Sequence, residues 1–589
     1  MRKLATLFTM LSIVLAAGVP AFAGKPGTDT TKPITTATPA GGSYSSAQSV
    51  TLSVNEPATT YYTTNGATPT TSSPVYTAPI GIAVSTTLKY FSKDTAGNSE
   101  TVQTQSYTIS GGGSPHSTLT WTGYGMCKDC HASQAQGMYQ SSHYQWKGPG
   151  TEWTTGPASQ GKMDATDGSS ALNAYCINIQ GNWNPCGACH MGTGAKPVAT
   201  QNPSATQLAS IDCLMCHSQT YSRVRNATTG LFEPSAGLNM NTVVQTVSKP
   251  TRKNCLGCHA KAGGGDGVKR GDLALATITN SDFNYDAHMV TAGANLACQE
   301  CHTFTNHHVA GRGSDIRPND STVAVNCSSA TCHPTKTQAT GHSTGDINRH
   351  VARVACQSCH IKQYARGFLT ETDRLWPTSE WNSVLGRWEP TPVKEGNLIP
   401  KYAFWNGTSW GNNAFDAAIL DPATGAYKIS RPNGAINSSL DKLYPFKYKV
   451  AHQPMANGKL VTLSTSSYFA TGNYDQAVKD GLVYMGMSSS TPYSTVVTDE
   501  YQLLNHQVQP GSQAMSCSQC HPNATASQMK LVTDLGYGLK AATSVVCSQC
   551  HIAKTPRDYV RMHSHVNNKG FDCSWCHNFS RPERGLTMP

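Results

Sequence analysis

The longest apolar run in the chain, Leu4 to Val19, follows Arg2 and Lys3 and leads into Ala21-Phe22-Ala23. A basic head, an apolar stretch and a small-x-small tripeptide predict a secretory signal over 1–23. No later run is apolar enough to span a bilayer, and no cysteine precedes Cys127 to take a lipid. The expected location is the periplasm or the cell exterior, with no membrane span.

Residues 24–38 are rich in Thr, Pro and Gly and read as a linker. Over 39–110 the apolar period becomes two. Val50, Leu52 and Val54 alternate with polar residues, as do Leu88 and Tyr90, and Asn65-Gly66 and Ala96-Gly97-Asn98 supply turns. This predicts a small antiparallel β-sandwich. A second linker, 111–118, contains Gly111-Gly112-Gly113-Ser114-Pro115. From 119 to 589 periodic patterns are scarce; one helix is expected after Cys127–His131, placing His143 twelve residues beyond His131. With 38% hydrophobic residues in a chain of 589, several units are expected and the long segment is short of ordinary core material.

Cysteine spacing says what fills it. Of 21 cysteines, 18 form nine Cys-x-x-Cys-His motifs: Cys127/Cys130/His131, Cys186/Cys189/His190, Cys213/Cys216/His217, Cys255/Cys258/His259, Cys298/Cys301/His302, Cys356/Cys359/His360, Cys517/Cys520/His521, Cys547/Cys550/His551 and Cys573/Cys576/His577. A tenth is stretched, Cys327-Ser-Ser-Ala-Thr-Cys332-His333. Two thiols at this separation add to the two vinyl groups of one haem, and the following histidine sits beneath the iron. Zinc ribbons need no histidine directly after the second cysteine, and disulfides need none at all. Ten covalently bound haem c groups are therefore expected, in a domain of short helices and long loops around stacked haems. At Cys327 two residues must bulge out, and a disulfide or a vacant site is the competing reading. Large apolar porphyrins replace much of the core. Trp376, Trp381, Trp388, Trp405 and Trp410, in the cysteine-free span 361–516, are expected to pack against them.

Low-spin haems need a second axial ligand, most often histidine. Setting aside His116 in the glycine-rich linker and counting one of the neighbours His307 and His308, taken as His308, leaves nine candidates: His143, His288, His308, His342, His350, His452, His506, His563 and His565. One haem of ten is then short of an imidazole, an opening for substrate chemistry. The alternative is that His116 or both neighbours serve.

The formal charge of +10 invites a nucleic-acid reading, but the cofactors reverse it. Each bis-histidine haem contributes about −1 when ferric and −2 when ferrous, so ten bring the processed chain to roughly −2 or −12. Nucleic acid is excluded as a partner.

Across about 120–540 the chain resembles the octahaem tetrathionate reductase family. The resemblance rests on Cys176-Ile177 ahead of Cys186, Asp212-Cys213-Leu214-Met215-Cys216-His217, Lys249-Pro250-Thr251-Arg252-Lys253-Asn254-Cys255 and Gly263-Gly264-Gly265-Asp266-Gly267-Val268-Lys269-Arg270-Gly271-Asp272-Leu273. His288-Met289, Val354-Ala355-Cys356 and Tyr364-Ala365-Arg366-Gly367 add to it. It implies an octahaem core over 119–540 and a haem whose distal ligand is lysine, with a cysteine nearby. These carry over to Lys269, with Lys196 as second choice, and Cys176, at the haem held by Cys186, Cys189 and His190. Arg270 stands where the family has histidine; it keeps a cation near an anion but puts a proton-donor role in doubt. The motifs at Cys547 and Cys573 form a two-haem extension, 541–589. The implied activity is reduction of tetrathionate, nitrite or hydroxylamine, and the rival is a conduit to redox partner proteins or an extracellular acceptor. Tyr61 to Pro69 and Phe91 to Asn98 resemble the module at the C-terminus of chitobiases and hexosaminidases, read as a spacer or adhesion unit that could hold polysaccharide.

Overall fold

The computed structural model describes residues 29–520 except 45–47, 83, 110–115, 151, 162–170, 175–188, 190–191, 194–197, 199–201, 227, 261–280, 312–319, 338–340, 437 and 439, and then 529–531, 534–538, 540 and 576–577. The signal segment 1–23 lies outside the described residues. The chain divides into two units, Met1–Thr118 and Leu119–Pro589.

The first unit is two facing sheets. One joins Thr35–Thr38, Gln48–Val54 and Ile80–Ile82; the other orders Gly42–Tyr44, Gln103–Ile109, Thr86–Asp94 and Ala58–Thr63. The alternation puts Val50, Leu52, Leu88 and Tyr90 inside, with Ala37, Ile80, Ile82 and Tyr107. Gly66 and Gly97 take the positive φ their turns require, 78° and 101°. Two details differ from expectation. Thr35 opens the first strand inside the expected linker, its Oγ1 2.6 Å from Ser92 Oγ, and Gly42–Tyr44 runs parallel to Gln103–Ile109.

The second unit has few, short helices, as expected, but its cysteine-free span holds an eight-stranded sheet that was not expected. At its centre Lys442–Ala456 pairs parallel with Thr370–Asn382 and antiparallel with Ser494–Leu503 and Lys401–Trp405. Arg387–Glu395 flanks one side. Helices Thr465–Thr471 and Tyr474–Tyr484 add Tyr468, Ala477, Val478 and Leu482 to a core with Trp376, Leu460 and Leu463. Of the tryptophans expected to pack against haem, Trp376 packs edge-on against Tyr468 and Trp405 against Phe446 and Tyr444, and Trp381 is 55% exposed.

Candidate metal centres and their axial histidines

With about 3.6 residues per turn, positions i, i+3 and i+4 share one helix face. One turn of helix thus presents both thiols and the histidine side by side. Motif residues lie in the short helices Met126–Cys130, Leu214–His217, Arg252–His259, Cys298–Cys301, Cys356–His360 and Cys517–Cys520. The histidine N–H closes the turn on the first cysteine's carbonyl: His131 to Cys127 at 2.9 Å, His217 to Cys213 at 3.0 Å, His302 to Cys298 at 2.9 Å. In the stretched motif, His333 N makes the same bond to Cys327 O at 3.1 Å, with the extra residues looped out between. The last motif departs from this pattern in its described part. Cys576 lies in a turn and His577 in a β-bridge, not in a helix, and Lys540 N donates to Cys576 O at 2.9 Å. Cys576 and His577 are both half-buried, so the motif is seated against the segment that precedes the extension. All 16 described cysteines, Cys576 among them, are free of disulfides.

Imidazoles from remote segments face several motif histidines. Ring centroids are 6.1 Å apart for His143 and His259, 6.4 Å for His217 and His307, 5.9 Å for His288 and His333, and 6.2 Å for His302 and His506. An iron bonded to a nitrogen of each ring at about 2 Å, with each nitrogen about 1.1 Å from its ring centre, needs a separation of about 6 Å. Four pairs have the separation that one iron between them would require. The far nitrogen of several rings is engaged, which orients the other toward a metal. His217 Nδ1 lies 3.0 Å from Ser248 O, His302 Nδ1 2.9 Å from Ala310 O and His360 Nδ1 2.9 Å from Gln509 O. Burial lowers the pKa of His143; burial, then the facing ring, lowers those of His307 and His333. Each is kept neutral, as a ligand must be.

His143 sits on Ser142–Gln145, separated from Ala132–Gln140 by extended Ser141, so the one expected helix is two. His307 and His308 belong to the hairpin of Phe304–Thr305 and His308–Val309, whose two-residue turn has φ 47° at Asn306 and 67° at His307. Such turns favour Asn-Gly, so a histidine at the second place is a strained choice. Counting a single one of the neighbours left out His307, whose ring faces His217, while His308 Nδ1 lies 3.1 Å from Asp320 Oδ1. The available signal was the four-residue hairpin itself, which points adjacent side chains apart. His452 goes the other way: it sits in the central strand with Nε2, the atom iron would use, 3.2 Å from Asp373 Oδ2. His342 Nδ1 is 3.3 Å from Asn348 Oδ1, and His350 ends the helix Gly345–His350. Lys269, Arg270, Cys176, Cys186, His190, Lys196, His521, Cys547, Cys550, His551, His563, His565 and Cys573 lie outside the described residues. Of the two motifs of the extension, only Cys576 and His577 are therefore described.

Thiols of different motifs meet. Cys127 and Cys213, Cys255 and Cys298, Cys258 and Cys189, and Cys327 and Cys356 lie close enough to perturb one another's ionisation. Cys216 acts electrostatically on Cys255 and Cys258, Cys332 on Cys301 and Cys517 on Cys359. The first eight motifs are thus linked in space.

Thiol pairs with an adjacent histidine, linked motif to motif, and second imidazoles across iron-sized gaps define a multihaem c-type cytochrome, an electron-transfer protein with covalently bound haem c. Residues 390–524 match the family model "Cytochrome c bacterial", and 39–104 match the chitobiase/beta-hexosaminidase C-terminal domain. The chain is similar in structure to octaheme cytochrome c from Shewanella oneidensis, with TM-score 0.59 and 28% identity over 72% of this chain and 97% of that one. An uncharacterized protein of Archaeoglobus fulgidus is 27% identical, covering 32% of this chain and 75% of its own length. Among the described residues no helix is long and apolar enough to cross a membrane.

Proposed function

We propose that this is an exported ten-haem cytochrome that reduces a small sulfur or nitrogen compound at one haem of distinct ligation. The observation that carries the reading is the histidine inventory after the geometry is taken into account. His307 joins the set and His452 leaves it, so His143, His288, His307, His308, His342, His350, His506, His563 and His565 serve nine haems. The tenth, at Cys186, Cys189 and His190, takes Lys269, consistent with the resemblance to octahaem tetrathionate reductases. Bound haem supplies the electrons; the chain supplies the rest. Lys269 would hold that haem's iron as a neutral amine, as the resemblance implies. Arg270 would stabilise an oxyanion such as tetrathionate or nitrite, hydroxylamine being the uncharged alternative, with Cys176 nearby as the resemblance implies, while the Arg252 guanidinium is taken by Met289 O and Leu296 O. The linked motifs deliver electrons from redox partner proteins.

The test is Lys269→Met. Turnover with tetrathionate, nitrite and hydroxylamine should fall to background while haem content stays at ten; unchanged turnover rejects the assignment. The motifs at Cys547 and Cys573 favour a second reading, a conduit to an extracellular acceptor with the β-module holding polysaccharide. Ten spectroscopically alike low-spin haems, silent to all three substrates, would select it.

A further inference from the structure

The axial histidines contributed from outside the motifs lie largely on loops and two-residue strands, so something must hold them still. Two buried aspartates do. Asp286, 1% exposed, accepts from His288 N at 2.9 Å and Met289 N at 3.0 Å with Oδ1, and from Gln507 N, next to His506, at 2.9 Å with Oδ2. All those partners are backbone. Asp320 is built alike but adds a ring. Its side chain is 4% exposed; Oδ1 accepts from Ser142 N and Ser142 Oγ, both at 2.9 Å, and Oδ2 accepts from Val309 N at 3.1 Å. Oδ1 also lies 3.1 Å from His308 Nδ1.

We propose that Asp320 is a positioning and potential-setting residue: it fixes the tautomer of His308 so that Nε2 faces iron, and through Ser142 and Val309 it holds His143 and His307 in register. A buried carboxylate receiving the Nδ1 proton makes the imidazole more electron-rich. It therefore favours ferric iron and lowers the potential of the haem that His308 serves. Asp320 would thereby tie three axial ligands on three haems to one charge. The proposal rests on the reading of His308 as a ligand.

Asp320→Asn keeps the shape and removes the charge. With haem content at ten by mass, one step of the redox titration should move to higher potential, and one low-spin electron paramagnetic resonance signal should change its g-values. Asp320→Glu should move both back toward wild type. An unchanged titration in fully loaded Asp320→Asn overturns the proposal. His308→Ala separates the two failures: one low-spin haem turning high-spin upholds the ligand reading whatever Asp320 does, and no change sinks that reading itself. Should the Asp320 variants fail to mature, a haem-loaded experimental structure decides. Asp320 within hydrogen-bond reach of an iron-bound His308 supports the proposal, and any other arrangement overturns it.

Discussion

Glu371→Gln probes the charges buried in the central sheet. Glu371, 2% exposed, accepts from Arg374 Nε at 2.7 Å and Nη2 at 2.9 Å, and Lys449 Nζ bonds the same carboxylate. Lys447 is fully buried and donates to Thr370 Oγ1 at 2.5 Å. Glu500, opposite Lys449 in register, accepts from Ala174 N at 3.1 Å, two residues before Cys176. The amide keeps the shape and leaves Arg374 and Lys449 one carboxylate short. Removing one partner of a buried ion pair costs about 3–5 kcal/mol, because the remaining charge stays desolvated. At about 1.4 kcal/mol per factor of ten, that is about 100- to 3000-fold in the local opening equilibrium. Amide exchange read by mass spectrometry over Thr370–Asn382 and Lys442–Ala456 should accelerate by that factor, with the N-terminal module as internal control. Acceleration of less than about threefold would refute the premise that these charges act together. Acid gives a second check. Burial alone would raise the Glu371 carboxyl, but Arg374 and Lys449 outweigh it and hold its pKa at about 2, below the ordinary 4.5. Its stabilisation is complete above pH 4.5 and lost as pH falls through about 2, so the gap between wild type and variant should narrow across that window.

Gly137→Ala would drive a Cβ into Asn306, at the tip of the hairpin that carries His307 and His308. Overpacking at about 1–3 kcal/mol exceeds the helix-propensity gain of about 1 kcal/mol, so two haems should change ligation in low-spin spectra while thioether attachment persists. His506→Ala should convert one haem to high spin, whereas His452→Ala should leave every haem signal in place; the opposite pattern, read by magnetic circular dichroism, would reverse the ligand assignment. Deleting 541–589 should leave eight haems by mass and retain reductase turnover, and loss of turnover would place the chemistry in the extension.

The haem sites were legible because thioether formation is local chemistry: both sulfurs and the histidine must fall within one turn, and that requirement is written in spacing. Even the stretched motif follows it, since the His333-to-Cys327 bond closes whatever length lies between. The facing imidazoles were legible as an inventory but not as pairs. His506 meets His302 and His143 meets His259 across long stretches of chain, and no local period records such meetings. The sheet was hidden for a different reason. A strand with one buried face reads as alternating apolar residues, yet Lys447 and Lys449 stand at inward positions of Lys442–Ala456, opposite Gln502 and Glu500. Lys449 is satisfied there by Glu371 and Lys447 by the Thr370 hydroxyl, so the pattern looked polar throughout.

The contacts between motifs bear on where chemistry and exchange with partners are placed. Taken by thiol neighbours, the first motif meets the third, the third the fourth, the fourth the fifth, and the run continues through the sixth and seventh to Cys517. The second motif joins this run at Cys258 of the fourth, beside the chain order rather than within it. We keep the proposed substrate site at the second motif, which, like the first, ends a branch of this network. The motifs at Cys547 and Cys573 follow the eighth in sequence, so deletion of 541–589 tests whether the proposed site at the second motif depends on them.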